Sequence, residues 1–176
     1  MRLESERIYL RPLCELDVPI MLGNTLDKEL RYMTGTTSDF SLEQIKTHIN
    51  NINNDSSRYD FAICLKSSDE MIGELSIYDI DEENRKAGFR ISMASISLTG
   101  KGYGVEAINI VLSFVFNHLT LTRLQLEVFS HNTRGIRAYE KVGFVKEGVL
   151  RQSLYYNEQY SDEIIMAILK SDYEKL

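Results

Sequence analysis

Tryptophan is absent from the 176-residue chain, and cysteine and proline occur only twice each. Cys14 and Cys64 sit among apolar neighbours with no C-x-x-C spacing, which argues against a disulfide scaffold and reads as two reduced, buried thiols. His48, His118 and His131 have no ligand-like spacing, so no metal site is expected. With so few prolines, no Pro/Ser-rich tract divides the chain and no internal repeat is visible; residues 1–176 read as one domain with one core. A long hydrophobic run is also missing. The longest, Val105–Phe116, is broken by Glu106 and Asn109 and is too short to span a bilayer. The charged start Met1–Arg7 leads into no apolar stretch of signal-peptide type, so a cytoplasmic location is the expectation. Basic residues are not in excess: 20 Lys and Arg stand against 26 Asp and Glu, a net charge of −6. A basic face for nucleic-acid phosphates is therefore not expected, whereas a cationic partner is compatible.

Periodicity supplies a coarse element order. Ile8–Leu13 reads as a strand ended by proline, followed by a short helix over Val18–Leu22 that stops at Gly23. Ser41 and Gln44 have capping-box spacing for a helix to about Ile52, with Ile45, Ile49 and Ile52 on one side. Thr25–Phe40 between these helices is loop-rich, a candidate lid. Three strands follow as a meander, around Phe61–Leu65, Met71–Tyr78 and Ala87–Met93. A long, largely buried helix carries Val105, Ile108, Leu112, Val115 and Leu119. A strand over Leu124–Val128, a short helix over Asn132–Val142 closed by Gly143, and strands near Phe144–Leu150 and Ile164–Leu169 complete the chain. The order β, α, α, β, β, β, α, β, α, β, β predicts an α/β fold with a mixed, mostly antiparallel central sheet and flanking helices.

The stretch Gly100-Lys101-Gly102-Tyr103-Gly104 is the most informative. Alternate glycines let the backbone approach a ligand, and the free N–H groups of the helix that starts here favour an anion. A Walker A loop is excluded, because G-x-x-x-x-G-K-[ST] is absent; a G-x-G-x-x-G fingerprint fails at Val105. On spacing alone, a diphosphate-binding loop and a glycine-rich turn before a core helix remain equally open.

The segment Thr99–Ala107 resembles the acetyl-CoA-binding loop of the GCN5-related N-acetyltransferase (GNAT) family. Asn132–Phe144, ending in Tyr-Glu-Lys-x-Gly-Phe, resembles that family's second signature. Ile8–Leu13 is similar to the first strand of the branch containing ribosomal-protein N-terminal acetyltransferases and spermidine acetyltransferases. The two signatures lie about thirty residues apart and the likeness covers nearly the whole chain. One departure is Thr99, where the family loop usually begins with Gln or Arg; another is Met93–Leu98, which lacks the usual proline and aromatic.

The resemblance implies an acetyl-CoA-dependent N-acetyltransferase acting on a primary amine, with no metal. It places coenzyme A against Gly100, Lys101, Gly102, Tyr103, Gly104 and Val105. Pantetheine would run along Ile91, Ser92 and Met93, with Asn132 and Lys141 completing the site. A backbone N–H near Met93 would meet the oxyanion. Tyr139 takes the position of the general acid that protonates the departing thiolate; from the residues alone it is a core tyrosine sharing a face with Ile136 and Val142. Glu127, twelve residues before Tyr139, matches the Glu–Tyr spacing of ribosomal-protein alanine N-acetyltransferases and is the candidate base. It reads equally as a solvated glutamate on the polar face of an alternating strand. Glu74 is the rival base. Asn132 is also a helix N-cap.

The acceptor is less specified. A peptide or protein N-terminus leads, favoured by Glu127. A polyamine is the alternative, favoured by the acidic run Asp79, Asp81, Glu82 and Glu83, which reads otherwise as a solvated turn. Tyr155–Tyr160 is either a wall of the acceptor site or an ordinary hairpin tip. A non-catalytic acyl-CoA-binding module and a nucleotide-binding module are the rivals from other classes. The dimers common in the family leave a homodimer open.

Overall fold

The computed structural model describes all residues from 1 to 176. Its spine is an eight-stranded sheet in the order β1-β2-β3-β4-β5-β6-β8-β7. The strands are β1 (Leu3–Glu4), β2 (Ile8–Pro12), β3 (Tyr59–Leu65), β4 (Met71–Asp81), β5 (Lys86–Met93), β6 (Arg123–Phe129), β7 (Val145–Tyr156) and β8 (Gln159–Leu169). The helices are α1 (Val18–Leu26), α2 (Lys28–Thr34), α3 (Leu42–Asn53), α4 (Tyr103–Ser113), α5 (Thr133–Lys141) and α6 (Lys170–Tyr173). Every neighbouring pair of strands is antiparallel except β5 and β6.

Alternation along the strands assigns the two faces. Phe61, Ile63, Leu75, Ile77, Phe89, Leu124 and Leu126 join Ile108, Val111, Leu112 and Val115 of the α4 segment in the main core. On the other face Ala62, Cys64 and Met71 pack beneath Val18, Met21, Ile45, Ile49 and Ile52 of α1 and α3. The same face of β4 continues with Glu74, Ser76 and Tyr78, so its apolar cover ends at mid-sheet and a polar region begins.

Several boundaries depart from expectation. Helix α1 does not stop at Gly23 but runs to Leu26; a helical glycine costs about 1 kcal/mol relative to alanine, which weakens a helix without ending it. Thr25–Phe40 contains α2. The Asp27 side chain caps it by accepting from the N–H groups of Glu29 and Leu30, and Gly35 closes it. The capping box at Ser41 and Gln44 forms as its spacing predicts. The end of the long helix widens into a π-turn over Phe114–His118. Cys64 is buried but Cys14 is only half-buried, and both thiols are free. No helix is long and apolar enough to cross a membrane.

Candidate active site

The parallel pairing of β5 with β6 is brief: Lys86, Ala87 and Gly88 face Arg123, Leu124 and Gln125, and beyond them the strands separate. A cavity of about 630 Å³ opens at this split. Four consecutive β5 residues, Phe89, Arg90, Ile91 and Ser92, line it, as do Glu127, Val128 and Phe129 of β6. Consecutive strand residues point to opposite faces. They can border one cavity only where it meets the strand edge-on, in a gap through the sheet. Beyond Gly88, every second backbone amide of β5 is turned toward this gap, with its pairing partner gone.

The cavity gathers Glu74, Ile91, Ser92, Glu127, Asn132 and Tyr139 from the sequence candidates. Glu74 faces Ser92 across β4–β5. Its Oε2 is buried and has no hydrogen-bond partner. Burial pushes its carboxyl above the ordinary range; Arg90 pulls the other way, and Asp60 and Asp17 push further up. Tyr139, on the buried face of α5, is 8% exposed and packs edge-on to Phe144, with ring centroids 5.9 Å apart. Burial alone pushes its phenol up to about 12. Tyr139 is thus both a core tyrosine and a cavity wall.

Glu127 is exposed at the cavity rim and tethered. Gln125 Nε2 donates to its Oε1 at 2.9 Å and the Tyr78 hydroxyl to its Oε2 at 3.3 Å. Tyr78 reaches β6 by lying across Gly88, where an added Cβ would fall 2.5 Å from the ring. Burial and the Glu127 charge hold the Tyr78 hydroxyl up at about 12, so it remains a donor. Asn132 caps α5, its Oδ1 accepting from Gly135 N at 3.0 Å. The cap uses the carboxamide oxygen and leaves the NH2 group beside the cavity.

The glycine loop lies outside the cavity lining, and so does Met93, which follows the lining residue Ser92; a Cβ on Gly104 would touch Met93 Sδ at 3.9 Å. Gly100 and Gly102 have φ of 74° and 85°, the left-handed region, and α4 starts immediately after Gly102. Nothing in the spacing pointed to what secures the loop. Arg7 donates to Lys101 O at 3.1 Å, stacks over the Tyr103 ring at 4.7 Å, and pairs with Glu106 at 2.7 Å. Glu106 also accepts from Ser5 Oγ and Arg7 N. Burial works against its ionisation, but these bonds and the guanidinium win and keep its carboxyl lowered. A carboxylate at this helix start would repel an incoming diphosphate; Arg7 neutralises it. Val105 follows within the first turn of α4, packed against the main core. Arg134 of α5 donates to the Thr99 hydroxyl, bringing a guanidinium to the position where the loop lacks a long side chain. Lys141 is exposed in the last turn of α5, and the structure does not bring it into the cavity.

Helices α1 to α3 roof the polar side of the cavity. His48 of α3 is held below the usual imidazole range by burial and by Arg90 and Arg58. Under it, Asp60 accepts from Arg58 at 2.6 and 2.8 Å and from Ser76 Oγ at 2.5 Å. Arg90 Nε donates to Ser76 Oγ at 3.1 Å. Neither Tyr155–Tyr160 nor the acidic run Asp79–Glu83 lines the cavity. The first is a hairpin tip with Asn157 and Glu158 both at positive φ, the geometry of a two-residue primed turn.

The model of the acetyltransferase (GNAT) domain matches residues 7–145. A probable N-acetyltransferase of Bacillus subtilis is 28% identical over 98% of this chain and 99% of its own. A putative ribosomal N-acetyltransferase of the same organism is 28% identical over 66% of this chain and 58% of its own. Among solved structures, spermidine N-acetyltransferase from Vibrio cholerae in complex with CoA and spermine is similar with a TM-score of 0.89 and 25% identity, over 97% of this chain and 99% of that one.

Proposed function

This chain belongs to the GNAT acetyltransferase family and transfers acetyl from acetyl-CoA to an amine, and from that premise we propose that its acceptor is a peptide or protein N-terminus, acetylated by direct attack in a ternary complex. The observation that carries the site assignment is the split of β5 from β6. It opens a cavity holding an unpartnered buried carboxylate and a buried phenol, and the β5 wall of the split ends at Met93, beside Gly104 at the start of α4.

In this reading the amides of Gly100–Val105 hold the diphosphate, assisted by Arg134, and the open edge of Ile91–Met93 pairs with the pantetheine arm. Glu74 is the base. Burial raises its proton affinity above that of an ordinary carboxylate, which makes it a stronger acceptor, and no protein donor competes for Oε2. It takes a proton from the ammonium, directly or through one water. The freed lone pair forms the C–N bond at the thioester carbonyl. A β5 N–H at Met93 receives the oxyanion; preorganised donors of this kind supply about 3–4 kcal/mol. As the C–S bond breaks, Tyr139 gives its proton to the sulfur, and the second proton shed by the attacking nitrogen as it becomes an amide returns the tyrosinate to a phenol. A phenol at about 12 is a reluctant acid, but the desolvation that raises it also raises the proton affinity of a thiolate in the same cavity. Glu127, already engaged by two donors, orients the acceptor at the rim.

Release of coenzyme A thiol, followed with a thiol reagent across peptide and polyamine acceptors, tests this. N-acetylated peptide identified by mass spectrometry is the expected product. Exclusive acetylation of spermidine would overturn the peptide assignment and establish the polyamine reading, which the likeness to the spermine-bound enzyme supports.

A further inference from the structure

We infer that the acceptor carries a main-chain carbonyl oxygen within one extended two-residue repeat of its reacting amine, and that Arg90 recognises that oxygen. This rests on the acetyl-transfer reading and names what its acceptor pocket selects.

Across β4–β5, Glu74 faces Ser92 and Ser76 faces Arg90. Arg90 therefore lies one pleat repeat from the Glu74 row on the same face, about 6.6–6.8 Å along the strand. Both residues line the cavity. An extended peptide has the same repeat, so a terminal amine at Glu74 sets its first carbonyls within reach of Arg90.

The guanidinium is prepared for that contact. Only its Nε is engaged, by Ser76 Oγ at 3.1 Å, and Ser76 is in turn pinned by Asp60, which Arg58 grips in bidentate fashion. The anchored Nε orients the planar fork, and the two terminal nitrogens make no hydrogen bond or ion pair with the protein. Arg31, the other guanidinium of the lining, is spent on Thr25 O and Ser38 O at 2.9 Å each and on Asp39 at 3.5 Å.

The charge balance points the same way. The ionisable lining comprises carboxylates Glu74 and Glu127, guanidiniums Arg31 and Arg90, His48, whose pKa is lowered, and the neutral phenol of Tyr139. Behind it, Asp60 and Arg58 neutralise each other. A polycation needs an excess of negative charge along its length, and here the group beyond Glu74 is itself cationic. The acidic run Asp79–Glu83 sits at the β4–β5 turn, outside the lining. A neutral carbonyl oxygen satisfies Arg90; a second ammonium is repelled by it.

The test compares kcat/KM with acetyl-CoA for a short peptide amide with a free N-terminus, a monoamine of similar length without a carbonyl, and spermidine. Wild type, Arg90→Met and Arg90→Lys are measured. The wild type is expected to prefer the peptide. Arg90→Met is expected to reduce the peptide-to-monoamine ratio by about ten- to a hundred-fold, the range for a hydrogen bond from a charged donor, mainly through KM, and to raise relative use of spermidine. Arg90→Lys should restore part of the ratio. Calorimetry should show weaker peptide binding to CoA-loaded Arg90→Met. A wild type that favours spermidine, or a ratio unmoved by either substitution, overturns the inference while leaving acetyl transfer intact. Acetyl-CoA binding with no transfer to any of the three amines would instead sink the reading beneath it. Should Arg90→Met misfold, the wild-type ranking and Arg90→Lys still decide.

Discussion

Replacing Glu74 by Gln separates the two carboxylates that compete for the role of base. The change keeps the volume and removes the ionisable group, so the strand pairing with Ala62 and Ser92 is retained. Loss of a positioned general base costs about 10²–10⁴ in rate, and kcat should fall by that factor while the affinity for coenzyme A, which we assign to the backbone of Gly100–Val105, stays close to wild type. The pH profile gives a second readout. Burial raises the carboxyl of Glu74, so the wild-type acid limb should lie above the ordinary glutamate range of about 4.3 and be absent from the variant.

Stability supplies a third, with a definite sign. A carboxyl whose folded pKa exceeds its unfolded value binds its proton more tightly in the fold. It destabilises the fold progressively as pH rises from the unfolded pKa through the folded one. Glu74→Gln removes that penalty, so the variant should gain stability relative to wild type between acid and neutral pH in chemical denaturation. A variant within a few-fold of wild type in kcat, with the acid limb unchanged, would refute the role of Glu74. Glu127→Gln would then be the variant expected to lose kcat.

Tyr139→Phe should lower kcat by one to several orders of magnitude while leaving coenzyme A affinity nearly intact; unchanged kcat would remove its role as acid. Because its phenol sits at about 12, no basic limb from Tyr139 should appear in the profile below about pH 11. Gly102→Val should abolish coenzyme A binding measured by calorimetry. Its φ of 85° is a region that costs an L-residue about 1–2 kcal/mol, and the added Cβ would come within 3.2 Å of Arg7 Nη2. Arg7→Ala should raise KM for acetyl-CoA more than it lowers kcat, and Glu106→Gln in the same chain should recover part of the loss by removing the exposed carboxylate; additive losses would show that the pair does not act through the loop.

The elements that were legible are those set by local chemistry. The capping box at Ser41 and Gln44, the alternation of Phe61, Ile63 and Leu65, and the glycine-rich start of α4 depend on neighbours within a turn or a pleat, and all form where the pattern places them. Helix α2 was also encoded, by Asp27 before it and Gly35 after it, but its seven residues are too few for an apolar stripe to stand out among polar neighbours. The twelve-residue spacing to Tyr139 put Glu127 ahead of Glu74 as candidate base, but both sit on strands in ordinary alternation, which does not show that the Glu74 carboxylate is the one left without a partner.

Chain-local signals established the order of strands and helices, the mixed sheet, the loop that opens α4 and the short list of ionisable candidates. Tertiary structure decided which carboxylate lacks a partner, which is tethered by Tyr78 across Gly88, and that Arg7, Arg90 and Arg134 belong with them. The reason is physical. Hydrogen bonding and desolvation are set by groups distant in sequence, such as Ser5 and Arg7 with Glu106 or Tyr78 with Glu127, and by where β5 parts from β6. Periodicity within one element contains neither.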